Sequence, residues 1–299
     1  MSLYTQQSKN VQETILLIVV FIGLLAALGY ALSLYTGNQY LLYVVSFISI
    51  ALSVMSYWFG GAVALGLSGA REISKQDNPE LFRRVENLTI GAGLPMPRVY
   101  IIDDPSPNAF ATGRDKYHSS VAFTTGLLTL LDTRELDGVI AHELAHIGNR
   151  DVLLATVIVV LVGLVANISD FALRFGFAGR DRDSKAGGPL LVLSIILLII
   201  SPILGQIIRL AISRKREFLA DATGALLTRD PEGLASALAK LSGTHTGLSR
   251  AHAATAHMFI VTPFATREDD SVSFVAKMFM THPPLGERIA RLRNSVLTQ

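Results

Sequence analysis

Two histidines four residues apart, His142 and His146, with Glu143 directly after the first, are the residues of this chain best suited to do chemistry. On a helix of 3.6 residues per turn both imidazoles lie on one face and can reach a single metal ion. The H-E-x-x-H spacing supplies two of zinc's ligands and leaves Glu143 to act as general base on a metal-bound water. So short a pattern also arises by chance in unrelated chains, and the surrounding sequence has to decide what it means.

Composition narrows the choice. Half of the 299 residues are hydrophobic and only 17% are charged, too apolar for a soluble domain of this size, so membrane spans and a lipid bilayer are expected. The chain has no cysteine, which removes thiolate metal sites, disulfides and cysteine nucleophiles together. Any zinc, one ion per chain, must be held by His, Asp or Glu. A net charge of +2 without a polybasic stripe argues against a nucleic-acid partner. No serine stands in a nucleophile-elbow context.

The elements that must position the histidines follow from the apolar pattern. Residues 14–35 form one uncharged apolar run, long enough to cross a ~30 Å hydrocarbon core. It is too long for a signal-peptide core and reads as an uncleaved anchor. A second run, residues 40–59, follows after the link Thr36-Gly37-Asn38-Gln39, which predicts a helical hairpin, and Tyr40, Tyr43, Tyr57 and Trp58 suit its interfacial ends. Residues 78–91 have helical spacing, with Leu81, Val85 and Leu88 toward a core. Residues 98–102, 108–112 and 120–124 read as strands. The functional helix starts at Asp132, with Glu135 completing a capping box, and is expected to run through His146 into the next apolar stretch. That stretch, residues 152–171, and its partner, residues 189–210, predict a second transmembrane hairpin, a buried hairpin of the soluble domain being the alternative. Residues 174–188 read as a loop. Helices are expected again at 217–227, 231–241 and 285–297. The division is then 1–60 (first hairpin), 61–151 (first half of the catalytic domain), 152–210 (second hairpin) and 211–299 (second half).

If Val152 begins a crossing and Ile212 ends the return, His146 and Glu217 emerge at a similar depth, about 8–9 Å outside the apolar region at the 1.5 Å helical rise. Glu217 is thereby the candidate third ligand. Asp221, one turn further, is the candidate partner for the free ring N–H of a ligating histidine. The alternative for Glu217 is a surface pair with Arg214 or Arg216. The run Asn108-Ala109-Phe110-Ala111-Thr112 is expected to form an exposed edge strand near the metal, where a substrate segment adds as an extra strand, so Asn108, Ala109 and Phe110 are the candidate substrate-binding residues. An internal strand paired on both sides is the alternative. His118, His245, His252 and His257 lack ligand spacing and are read as loop or surface residues.

Taken together, His142-Glu143-Leu144-Ala145-His146 with Asn149-Arg150-Asp151, Arg216-Glu217-Phe218-Leu219-Ala220-Asp221, and Thr281-His282-Pro283-Pro284 with Glu287-Arg288 resemble the HtpX-type bacterial membrane protease family, relatives of the CaaX prenyl-protein endopeptidases. The resemblance covers essentially the whole chain. It implies an α-helical integral membrane protein with a zincin-like α+β catalytic domain, two transmembrane hairpins making about four spans, and a small edge-stranded sheet. It also implies a zinc endopeptidase of the cytoplasmic membrane, multi-pass, with its active site on the cytoplasmic side, acting on unfolded or membrane-protein polypeptides in quality control. By the same similarity His282 stabilises the oxyanion of the tetrahedral intermediate and Arg288 supports it. The rival reading from another class is a non-catalytic membrane scaffold or holdase with a structural zinc.

Overall fold

The computed structural model describes residues 3–161, 163, 214–244, 255, 257–261 and 283–296. Most of the expected second hairpin, the loop at 174–188, and His245, His252 and His282 lie outside these residues.

The first two helices, α1 (Leu3–Thr36) and α2 (Tyr40–Leu67), form the expected hairpin. Within them Asn10–Thr36 and Tyr40–Leu67 are long and apolar enough to cross a bilayer. α2 does not stop at Gly60 but runs on to Leu67. Gly60 is there because a third helix crosses it closely: a Cβ at Gly60 would lie 2.7 Å from Thr156 Cγ2.

A four-stranded sheet follows, β1 (Ala70–Ile73), β2 (Arg98–Ile102), β3 (Ala109–Asp115) and β4 (His118–Thr124), in the order β1-β2-β4-β3. β2 and β4 are parallel, and the outer pairs antiparallel. β1 escaped the sequence reading because Ala70-Arg71-Glu72-Ile73 has no apolar alternation. Between β1 and β2, α3 (Pro79–Ala92) is capped by the Asn78 side chain and ends at left-handed Gly93. A short α4 (Thr125–Leu130), capped by Thr124, leads into α5 (Thr133–Gly148).

α5 carries the two histidines and is buried on nearly all sides. Val139, Ile140, Leu144 and Ile147 are all at most 1% exposed, each worth ~1.5–3 kcal/mol of burial, so the helix cannot shift without breaking the core. Its start is fixed by the expected capping box between Asp132 and Glu135. Glu135 also accepts hydrogen bonds from Ser236 Oγ (2.7 Å) and Lys240 Nζ (2.6 Å) on a later helix.

The expectation that this helix continues into the next apolar stretch is overturned. It ends at Gly148, Arg150 takes a left-handed conformation (φ 61°), and α6 (Asp151–Leu161) leaves at 84°. The cause is packing: α6 shares a core with the first hairpin, where Leu154 and Ile158 meet Phe21, Leu25 and Leu65, whereas α5 packs beneath the sheet. One straight rod cannot serve both cores. Later in the chain come α7 (Arg214–Thr228), α8 (Pro231–Ser242) and α9 (Leu285–Val296).

Candidate active site

α7 crosses α5 so closely that a Cβ at Gly224 would lie 3.0 Å from the backbone nitrogen of His142. That approach brings Asp221 and Glu217, one and two turns before Gly224, against the histidine pair. His142 Nε2 and His146 Nε2 are 3.2 Å apart, and Glu217 oxygens lie 3.6 Å from His146 Nε2 and 3.9 Å from His142 Nε2. These three residues form a potential metal-binding group. Tetrahedral zinc with ~2.0–2.1 Å bonds holds its ligand atoms about 3.3–3.4 Å apart, close to the separation of the two ring nitrogens, while the Glu217 carboxylate turns one oxygen toward each histidine.

Each histidine has its own outer support. His142 Nδ1 lies 3.1 Å from Asp221 Oδ1. Asp221 accepts a two-pronged interaction from Arg288 (Nε to Oδ2 2.9 Å, Nη2 to Oδ1 2.7 Å), and Arg288 Nη1 reaches Glu217 Oε2 at 3.3 Å. Arg288 is fully buried. Burial and the guanidinium charge outweigh Asp221's pull and push His142 down to about 4, so its ring is neutral. At His146, burial opposes the charge, but a hydrogen bond to Asp151 and the carboxylates of Glu217 and Glu143 together lift it to about 9. A metal binding there must displace that proton.

Glu143 is buried and lines a cavity of about 50 Å³ together with His142, His146, Glu217, Ala111 and His257. His257 is therefore not a surface residue. It is buried and its Nε2 lies 3.0 Å from the Ala155 carbonyl. Among the described residues the strand expected to bind substrate is an edge, β3 pairing with β4 alone, but it is covered, not exposed. Asn108 Nδ2 donates to the Val261 carbonyl (2.8 Å), the Ile260 N–H donates to the Ala109 carbonyl (3.0 Å), and Phe110 meets Phe259 edge to face. Further along, the Gly113 N–H donates to Thr156 Oγ1 (3.1 Å). Ala111 lies between these two ties and faces the cavity.

The sequence reading missed Asp151, Asn10 and Arg216. Asp151 follows His146 by five residues, a spacing that does not share a helix face, and only the break at Arg150 returns it to His146 Nδ1 at 3.1 Å. The polar triplet Asn149-Arg150-Asp151 between two apolar stretches was the available signal.

A mixed α/β core with an open sheet, whose central helix and a later crossing helix bring together a His-His-Glu group able to hold a metal, is that of a zincin-type metallopeptidase. The family model for peptidase family M48 matches residues 75–296. A relative described as "Protease HtpX homolog" from Tropheryma whipplei (strain Twist) is 43% identical over 97% of this chain and 98% of its own length. One from Pyrococcus furiosus is 45% identical over 94% of each. The crystal structure of S. mikatae Ste24p aligns with TM-score 0.48 at 16% identity, covering 97% of this chain and 67% of that one. The chain belongs to peptidase family M48, among its HtpX-type members. It is a zinc-dependent membrane endopeptidase.

Proposed function

We propose that this endopeptidase cleaves unfolded or membrane-extracted polypeptide segments at the surface of the bacterial cytoplasmic membrane, with His142, His146 and Glu217 holding one zinc ion and Glu143 as general base. The carrying observation is the convergence of these four side chains, three buried and His146 partly so, on one small cavity. Zinc held there supplies Lewis acidity, polarising a carbonyl and lowering the pKa of water toward ~7. Glu143 takes the proton from the attacking water and delivers it to the leaving amine. Asp221 orients the His142 ring, and Arg288 holds Asp221 and Glu217 in place by balancing their charge. His282, six residues before Arg288, is assigned the hydrogen bond to the developing oxyanion.

Substrate adds along β3 at Ala111, whose backbone lies between the ties at Ala109 and Gly113. Main-chain pairing with little side-chain selection suits unfolded segments. The informative backbone change is therefore Ala111→Pro, since Ala109 is already engaged by Ile260. It should raise KM or lower kcat/KM with zinc content retained.

The chain makes four crossings, with both termini and both halves of the catalytic domain in the cytoplasm. Supporting this, α6 starts beside the N-terminal end of α1 and packs into the core of the first hairpin. A Lys185→Cys variant should label from the outer side of intact membranes. Labelling from the cytoplasmic side only would sink the four-span reading. For the chemistry, wild type and Glu143→Gln, purified in detergent with zinc, are assayed on an unfolded protein. Both should bind one zinc and only wild type should cleave, whereas equal rates would exclude Glu143 as the base.

A further inference from the structure

The first membrane helix enters the domain next to the metal site, and its polar residues there are not spent on solvent. Asn10, fully buried, donates through Nδ2 to the Asn149 carbonyl (2.8 Å) and to Asp151 Oδ1 (2.5 Å), and accepts at Oδ1 from Arg216 Nε (2.8 Å). Both amide protons and the oxygen of one side chain are used. One turn on, Glu13 pairs with Arg216 Nη2. Asn149 is the cap of α5 and Asp151 the first residue of α6, so Asn10 clips the break between the two helices from outside. The other oxygen of Asp151 accepts from His146 Nδ1 at 3.1 Å.

We infer that Asn10, on the first transmembrane helix, is a positioning residue of the metal site: with Arg216 it fixes which way Asp151 faces, and Asp151 thereby fixes the ring and tautomer of His146. The inference rests on the reading of His146 as a zinc ligand. The physical argument is one of donors and acceptors. A ligating Nε2 must carry a lone pair, so Nδ1 must carry the proton and needs an acceptor. Asp151 supplies it with Oδ2 because Oδ1 is claimed by the Asn10 amide and lies 3.5 Å from Arg216 Nε. The helix usually read as an anchor thus reaches the catalytic metal through three side chains, Asn10, Asp151 and His146.

The network makes a sharp forecast for Asp151→Asn, a change of nearly equal size. The donors around Oδ1 hold the new amide oxygen there, which turns its NH₂ toward His146 Nδ1. That nitrogen must then accept, the proton moves to Nε2, and the ligating lone pair is lost. In the full-length protein in detergent, zinc Kd measured by chelator competition should weaken by about 10–100-fold, the range for such outer partners. Asn10→Leu should weaken it by about 10-fold. The combined Asn10→Leu and Asp151→Asn variant should bind no more weakly than Asp151→Asn alone, because without the Asn10 donor the amide can turn and accept from His146. The visible spectrum of the Co²⁺-loaded proteins should change in the single variants in step with Kd, a readout that a purely structural role would leave alone. If Asn10→Leu does not fold, Asp151→Asn decides. Folded single variants with wild-type Kd, or a combined loss equal to the product of the single losses, would overturn the inference. A wild type that binds no zinc would instead overturn the metal-site reading.

Discussion

His142 and His146 sit one turn apart on the same helix, yet their outer nitrogens are held by different halves of the molecule. His142 leans on Asp221 of α7, which Arg288 of α9 locks in a fully buried ion network. His146 leans on Asp151, at the bend beyond α5, and on the neutral amide of Asn10 from the membrane hairpin. The first support is made of charges whose neutralisation has to be complete, because a buried charge without its partner is costly. The second joins the Asp151 carboxylate to the Arg216–Glu13 ion pair through the neutral amide of Asn10 at a backbone bend, and is mechanically continuous with the helices of the first hairpin. Two similar candidate ligands thus have one mount within the catalytic core and one joined to the first hairpin.

Removing the ligands abolishes the comparison altogether. His142→Ala, His146→Ala and Glu217→Ala should each lose stoichiometric zinc and all measurable cleavage, read by metal analysis and kcat/KM. Tight zinc in the Glu217 variant would move the third ligand elsewhere. Next in size is the mount within the catalytic core. Arg288→Met leaves Asp221 and Glu217 without their buried cation and should cost about 3–5 kcal/mol in stability, seen as a lower unfolding midpoint even in zinc-free protein. Asp221→Asn is milder, weakening zinc binding by about 10–100-fold. An unchanged Kd would show that His142 needs no outer acceptor.

Gly224→Ala tests how closely the two mounts are pressed together. Its Cβ would meet the His142 backbone, and overpacking of this kind costs about 1–3 kcal/mol. The added strain should appear in thermal unfolding together with weaker zinc binding. The smallest effect concerns the start of α5. Burial raises the Glu135 carboxyl, but the hydrogen bonds from Lys240, Ser236 and the Asp132 N–H more than offset this and hold it below its ordinary value. A lowered folded-state pKa adds stability that is complete above the unfolded value of ~4.3 and is lost as pH falls through the folded one. Glu135→Gln should remove about 1 kcal/mol at neutral pH and flatten the acid limb of the stability profile. An acid limb as steep as wild type would clear Glu135 of that role.

Local patterns made the site's centre readable in advance. Two histidines at helical spacing with an adjacent glutamate, a capping box ahead of them, and a second pair of carboxylates one turn apart all depend on neighbours within a few residues. The hairpin of α1 and α2 was readable for the same reason, since an uncharged apolar run reports its own length. What failed to be readable depended on where an element is pressed by another. The end of α5 at Gly148, the extension of α2 past Gly60, and the burial of β3 under residues 257–261 were decided by contacts between segments far apart in the chain.

The same division separates the ligands from their supports. A His-Glu-x-x-His helix, a later carboxylate pair, apolar segments able to cross a bilayer and the lack of any thiolate to compete for zinc could all be read before folding, because spacing and composition are properties of the chain alone. That Arg288 balances the carboxylates of α7 and that Asp151 turns back on His146 became visible once the helices were packed. The same packing puts an asparagine from residue 10 behind a candidate ligand at residue 146. The Arg288–Asp221 and Asn10–Asp151 contacts join residues 67 and 141 positions apart in sequence, and no local periodicity encodes a meeting that the packing of two cores against a shared bend brings about.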